Sequence, residues 1–309
     1  VSAIFLSSRG FASALLSRPA RAALASCIVA LASACASPRT AGPAGVSAVE
    51  QDDAGAESEP GAEAVEVAPD VAIAAPLGRA AVEAIVTDPS RSEADRETDR
   101  RRAPLEFLLF CGLRPGMRVA DLGAGSGYTS ELLARAVGTS GRVYGHNTIF
   151  VRQRFAAEPW AERLAKPVNA TIVDLESDFD APFSADIRDL DLVVNVLFYH
   201  DFEWQGVDRA SHNANVFAAL RAGGHYVIVD ASAAEGAGVS ASKTLHRIEE
   251  AVVVRELEAA GFELVARGDF LANPDDTRDW NATPWSDRER AERGEFSDKF
   301  VLDFHKPVP

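Results

Sequence analysis

Side chains able to do chemistry gather in three short stretches of this 309-residue chain. "YHDF" sets Tyr199, His200 and Asp201 in succession, three groups that can hydrogen-bond or titrate. An imidazole with an ordinary pKa of about 6.5 can take a proton from a hydroxyl, and a nearby carboxylate can orient it. His200 is therefore the candidate base, with Asp201 as its orienting partner and Tyr199 beside them. A second pair, His246 and Arg247 in "KTLHRIEEAVVV", is expected to begin a helix and to converge on the same mouth as a substrate-binding pair. Arg247 there would suit an anionic group, whereas pairing with Glu249 or Glu250 would make it an ordinary surface arginine. The third stretch is "DLGAGSG", residues 121–127. Its glycines let the backbone turn tightly and let a ligand approach with no Cβ in the way.

The glycine spacing bears on which adenosine-bearing cofactor such a turn would take. A nicotinamide or flavin site prefers Gly-x-Gly-x-x-Gly, with pyrophosphate over the helix N-terminus. Gly123 and Gly125 fit that pattern, but the third position is Tyr128, and Gly127 falls one residue early. The acid also precedes the turn, at Asp121, instead of following the next strand.

These residues must be held by elements that the hydropathy pattern predicts. "GRAAVEAIVTD" and "PLEFLLFCGL" read as helices ending at Pro or Gly, and Cys111 in the second reads as a small buried hydrophobe. "GMRVADL" reads as a buried strand and "YTSELLARAVG" as a helix with Leu132, Leu133 and Val137 on one face. "GRVYGHN", "VNATIVDL", "LDLVVNVLF" and "GGHYVIVDA" supply four more strands, with "ASHNANVFAALRAGG" as a helix between the last two. "HRIEEAVVVRELEAAGF" is predicted as one long helix feeding the strand "FELVARGDF", and "DKFVLDFHKP" alternates as an edge strand would. Strands alternating with helices predict an α/β fold, a doubly wound, mostly parallel, Rossmann-like sheet with helices on both faces. Ligands then sit beyond the strand C-termini, where the strand order reverses.

The Asp-x-Gly-x-Gly-x-Gly turn after a strand resembles motif I of the class I S-adenosylmethionine-dependent methyltransferases. The resemblance covers about residues 105–306, carried by "LRPGMRVADLGAGSG" and by "LRAGGHYVIVD" around the fifth strand. It implies a seven-stranded sheet and S-adenosyl-L-methionine as cofactor. Asp121 would then sit near the methionine amino group, while Gly123, Ala124, Gly125 and Gly127 let the backbone approach. The ribose position at the end of the second strand falls on Asn147, an amide where the family usually has an acid; it can make one such bond without charge assistance. Asp174 is placed for the adenine amino group, and Asn195, Val196 and Leu197 pass beneath the cofactor. The loop "NVLFYHDF" would face the methyl group; it lacks the Asp/Asn-Pro-Pro-aromatic pattern of enzymes acting on base nitrogens. Exported leader, glycine turn, "YHDF" and "HRIEEAVV" together also look like a bacterial group of exported predicted methyltransferases.

Composition bounds the partners. The 47% apolar content is ample for a core, and the formal net charge of −15 repels phosphate backbones, so no nucleic-acid partner is expected. The three cysteines, Cys27, Cys35 and Cys111, form no CxxC or Cys/His cluster, and no metal is expected. Residues 1–35 carry Arg9, Arg18 and Arg21 ahead of "AALASCIVALASA", the shape of a signal peptide and too short to span a bilayer. "ASAC" ending at Cys35 resembles a lipoprotein box, "LASC" ending at Cys27 a second one, and cleavage after Ala34 or Ala36 is the alternative. A periplasmic or lipid-anchored protein is expected, with a cytoplasmic one as the alternative. Residues 36–77, rich in Ala, Pro, Gly and acids, are expected to be a disordered tether, and 78–309 the globular domain. Three functions stay open: methyl transfer to a small molecule at O or another heteroatom, a non-catalytic envelope binding module on the same fold, and a nicotinamide-dependent oxidoreductase.

Overall fold

The computed structural model describes residues 74–309. The leader, Cys27, Cys35 and nearly all of the acidic tether lie outside the described residues. Among the described residues no helix is long and apolar enough to cross a membrane.

Three helices precede the sheet: α1 (Arg79–Val86), α2 (Glu93–Arg102) and α3 (Pro104–Phe110). The strand β1 (Arg118–Leu122) then runs through the glycine turn into α4 (Tyr128–Val137), and β2 (Arg142–Asn147) and β3 (Ile172–Glu176) follow. Next come β4 (Leu190–Val196), β5 (Leu220–Ala231), β6 (Glu263–Gly268) and β7 (Lys299–His305). The seven strands are ordered β3-β2-β1-β4-β5-β7-β6. All pairings are parallel except those of β7, which is antiparallel to both β5 and β6. Strand order reverses between β1 and β4, where Leu122 pairs with Asn195. That is the switch point at which a doubly wound sheet opens a crevice.

Side chains alternate across the sheet, so each central strand feeds two cores. Ala120, Val193, Tyr226 and Ile228 enter one apolar cluster, and Val119, Leu192, Val194, Val227 and Val229 the other. Cys111 is in the second, and burial pushes its thiol well above the ordinary range.

Three departures from the sequence pattern have physical causes. The segment "DKFVLDFHKP" forms an internal strand, not an edge: β7 lies between β5 and β6, with Phe300, Val301, Leu302 and Phe304 all buried. The predicted long helix starts only at Glu250, because Ile248 bridges to Ser232 and His246 turns the chain at φ +52°; it runs Glu250–Ala259. The charged helix α2 has no apolar period to announce it. It is held by a Ser92 cap and by buried ion pairs, with Asp95 on Arg163 at 2.7 Å and Arg101 on Asp287 at 3.3 Å.

Candidate functional site at the carboxyl edge of the sheet

The glycine turn is built at the C-terminal end of β1. Gly123, Gly125 and Gly127 all have positive φ, at +69°, +57° and +81°. A Cβ on Gly123 would come within 2.7 Å of the Phe198 ring, and one on Gly127 within 2.5 Å of Trp160. A Cβ on Gly125 would meet nothing within 4 Å. Two glycines therefore serve packing, while the middle one faces open space that a ligand can fill. The turn is tied to β2 by the Ala124 amide, which donates to the His146 carbonyl at 2.9 Å.

Asp121 is buried, and its Oδ2 accepts from Ser130 Oγ at 2.6 Å. Burial pushes its carboxyl up to about 7, against the Ser130 hydroxyl and the Arg102 charge, which pull it down. Arg102 went unnoticed in the sequence, where it ends an arginine run in α2. Its Nε is buried without a hydrogen-bond partner, and its charge is felt by both Asp121 and Tyr128. Asn147 is fully buried and clasps Gly125: its Oδ1 accepts from the Gly125 amide at 2.9 Å and its Nδ2 donates to the Gly125 carbonyl at 3.1 Å. The amide expected at a ribose thus holds the turn in shape. Asp174, expected at the adenine amino group, sits within β3 and is engaged by Arg152 and by Trp160 Nε1. Asn195, next to the last residue of β4, is fully buried with neither amide atom partnered, and Leu197 just beyond the strand has φ +59°.

The "YHDF" stretch folds as a 3-10 turn, Tyr199–Asp201, which lets adjacent residues meet instead of pointing apart. His200 Nε2 lies 3.0 Å from Asp201 Oδ1, and His246 Nδ1 lies 3.2 Å from that same nitrogen and 3.1 Å from Asp201 Oδ1. His246, expected with Arg247 as a substrate-binding pair at this mouth, lies against His200 and Asp201. Behind them Asp230, at the end of β5, contacts His200 Nδ1 at 2.6 Å and accepts from the His200 backbone amide at 2.8 Å. Burial opposes charge on the His200 imidazole, yet Asp230 and Asp201 outweigh it and raise its pKa to about 10. Asp201 is held in turn by Trp204 Nε1 at 2.6 Å. Asp230 was missed; the only sequence trace is an acid ending the apolar run "YVIVD".

Tyr199 and Arg247 do not join this group. Tyr199 is fully buried, donating to Glu256 Oε2 at 2.9 Å and accepting from Asn213 Nδ2 at 2.9 Å. Arg247 is neither at the mouth nor on the surface. It is fully buried, paired with Asp276 at 2.8 Å, and lies over the Trp280 ring at 4.7 Å. A left-handed His246 puts the next side chain on the opposite side of the turn, which no helical spacing predicts. Two clefts, of about 540 and 970 Å³, open near Arg247's neighbours Asp276 and Trp280 and near Glu249. Neither includes a residue of the glycine turn or of the Tyr199–Asp201 turn.

Comparison with known proteins adds the following. The family model of protein-L-isoaspartate(D-aspartate) O-methyltransferase matches residues 102–158, from Arg102 through the glycine turn and β2. No curated protein matches the chain. Among solved structures, a SAM dependent methyltransferase from Aquifex aeolicus is 16% identical, covering 74% of this chain and 99% of that one with a TM-score of 0.49. An arsenic(III) S-adenosylmethionine methyltransferase from Chlamydomonas reinhardtii is 17% identical, covering 74% and 73%, with a TM-score of 0.47. The [4+2]-cyclase SpnF is 18% identical, covering 72% and 85%, also at 0.47.

Proposed function

We propose that the chain binds S-adenosylmethionine at the glycine turn and transfers its methyl group to a small molecule, at oxygen or another heteroatom. The observation that carries this reading is the turn itself: three left-handed glycines, open space at Gly125, and buried Asp121 alongside, all at the switch point between β1 and β4. Asp121 would face the methionine ammonium and Arg102 the methionine carboxylate, a pair of opposite charges matched to a zwitterion. Backbone groups of the turn would run along the adenosine.

Methyl transfer from a sulfonium is an in-line displacement. The acceptor's lone pair forms the new bond to the methyl carbon, the C–S bond breaks, and its electrons stay on sulfur as a neutral thioether. A hydroxyl acceptor must also lose its proton; His200, Asp201 and His246 line the place where it would be lost, and His200, held charged by Asp230 and Asp201, can receive it only after giving up its own to solvent. Alignment alone can supply much of the rate, on the order of 7–11 kcal/mol. Tyr199, locked to Glu256 and Asn213, takes no part.

Calorimetry on the full chain with S-adenosylmethionine, its demethylated product and NAD tests the cofactor. Binding of the first two without NAD is expected, and binding of NAD alone overturns the proposal. Asp121→Ala should weaken S-adenosylmethionine at least tenfold; an unchanged affinity removes Asp121 from the site. His200→Ala should lower turnover far more than cofactor affinity. One observation favours a second reading, a binding module without turnover: Asn147, at the ribose position, already spends its amide on Gly125. Tight cofactor binding with no transfer to any heteroatom acceptor would establish it. Export and lipidation rest on the leader, and an unchanged membrane fraction for Cys35→Ala in cells would remove the lipid anchor.

A further inference from the structure

The three ring and carboxylate atoms of the "YHDF" turn and His246 form a nearly equilateral triangle. Its edges are 3.0, 3.1 and 3.2 Å, between His200 Nε2, Asp201 Oδ1 and His246 Nδ1. We propose that His200, Asp201 and His246 are the protein ligands of a divalent first-row transition ion, held on one face with the opposite face open to solvent and substrate.

The spacing fits an ion. With bonds of about 2.1 Å to each donor, the ion would stand roughly 1.1 Å off their plane, with ligand–metal–ligand angles of about 95°. Those are the angles of three neighbouring ligands in an octahedron, the arrangement in which two histidines and one carboxylate commonly bind such ions. The tautomer fits as well. Asp230 is fully buried, and its two oxygens already accept from the backbone amides of His200 and Ala231. Facing His200 Nδ1 at 2.6 Å it can only accept, so Nδ1 keeps its proton, and Nε2 is the nitrogen that releases a proton to solvent when an ion takes its lone pair in the triangle. This is the outer carboxylate that orients a ligating histidine. Trp204 does the same for the third ligand, its Nε1 donating to Asp201 Oδ1 at 2.6 Å.

Backbone geometry agrees. His246 holds φ +52°, a conformation costly for a residue with a Cβ, and it is this turn that carries its ring back to His200. The cluster is also graded from closed to open: the side chains of His200, Asp201 and His246 are 5%, 15% and 22% exposed. Phe198, two residues before His200, packs against Gly123, so the cluster adjoins the glycine turn. The ion site stands on its own geometry. What the open face takes rests on the methyl-transfer reading: an acceptor offering two adjacent oxygens, which would chelate the ion beside the sulfonium.

Full-length protein stripped with chelator and dialysed should take up one equivalent of Co²⁺, followed by its visible absorption. His246→Gly, which suits the left-handed turn, should weaken that uptake at least tenfold, while His225→Ala, on a distant histidine paired with Asp303, should leave it unchanged. Circular dichroism and the melting temperature of metal-free His246→Gly check that the variant is folded, and Asp201→Asn gives a second deletion should it not be. No stoichiometric uptake by the wild type, or equal affinity in a folded His246→Gly or Asp201→Asn variant, overturns the proposal. Calorimetry with S-adenosylmethionine on the same samples separates the two conclusions. Metal uptake without cofactor binding sinks methyl transfer alone, and cofactor binding without metal uptake sinks the ion site alone.

Discussion

Asp121 illustrates how one buried side chain couples the site to pH. Burial raises its carboxyl to about 7, so in the empty protein it is largely neutral in mild acid and charged in mild base. A methionine ammonium is attracted only by the charged form. Affinity for S-adenosylmethionine should therefore rise as pH passes upward through about 7, by roughly tenfold per unit on the acid side. Binding below that pH should release a proton. Titrations at about pH 6 and 8 in buffers of different ionisation enthalpy check both effects, and Asp121→Asn should bind weakly and without this dependence. A wild-type affinity that is flat across that range would count against the placement. At the same scale, the identities of Asp121, His200 and Asp201 were legible as chemistry, but their partners were not. Arg102, Asp230 and His246 lie 19, 30 and 45 positions from Asp121, His200 and Asp201 respectively, and sequence spacing carries no information about such meetings.

At the scale of elements, the glycine turn separates packing from binding. Gly127→Ala would force a Cβ to within 2.5 Å of Trp160 at φ +81°. The left-handed strain and the overpacking together should cost about 2–4 kcal/mol, seen as a lower urea midpoint with an unchanged slope. Gly125→Ala meets nothing within 4 Å, and its cost should stay near the 1–2 kcal/mol of left-handed strain. Its added methyl enters the space left for a ligand, so cofactor affinity should fall more than stability. Equal stability losses at the two positions would contradict this division. The strand–turn–helix from β1 to α4 was readable because hydrophobic run, glycine spacing and helical period all agree locally. Helix α2 was not, since its Asp95 and Arg101 are buried against Arg163 and Asp287, far along the chain. Nor was the start of the helix at Glu250, which a β-bridge of Ile248 decides.

For the molecule as a whole, two neutral histidines are built into the core. His146 and His212 are fully buried, and burial lowers both to about 4. Each binds its proton more weakly in the folded chain than in the unfolded one. The sign is therefore loss of stability as pH falls through about 6.5 and on toward 4, up to about 3 kcal/mol for each residue. Urea midpoints at about pH 7.5 and 5 should differ for the wild type, and the gap should shrink for His212→Gln. An undiminished gap in that variant would place the acid sensitivity elsewhere.

The amino-acid sequence by itself determined the alternation of strands and helices, the place and conformation of the glycine turn, and the residues most able to do chemistry. Each of these depends on neighbours within a dozen positions: apolar period, positive φ at glycine, side-chain type. Only the tertiary structure decided that β7 is internal, that Tyr199 and Arg247 are locked away from the mouth, that Asn147 clasps Gly125, and that His246 closes a triangle with His200 and Asp201. The reason is burial. Once a polar side chain leaves water it must find a partner, and which partner is in reach depends on how distant segments cross the carboxyl edge of the sheet.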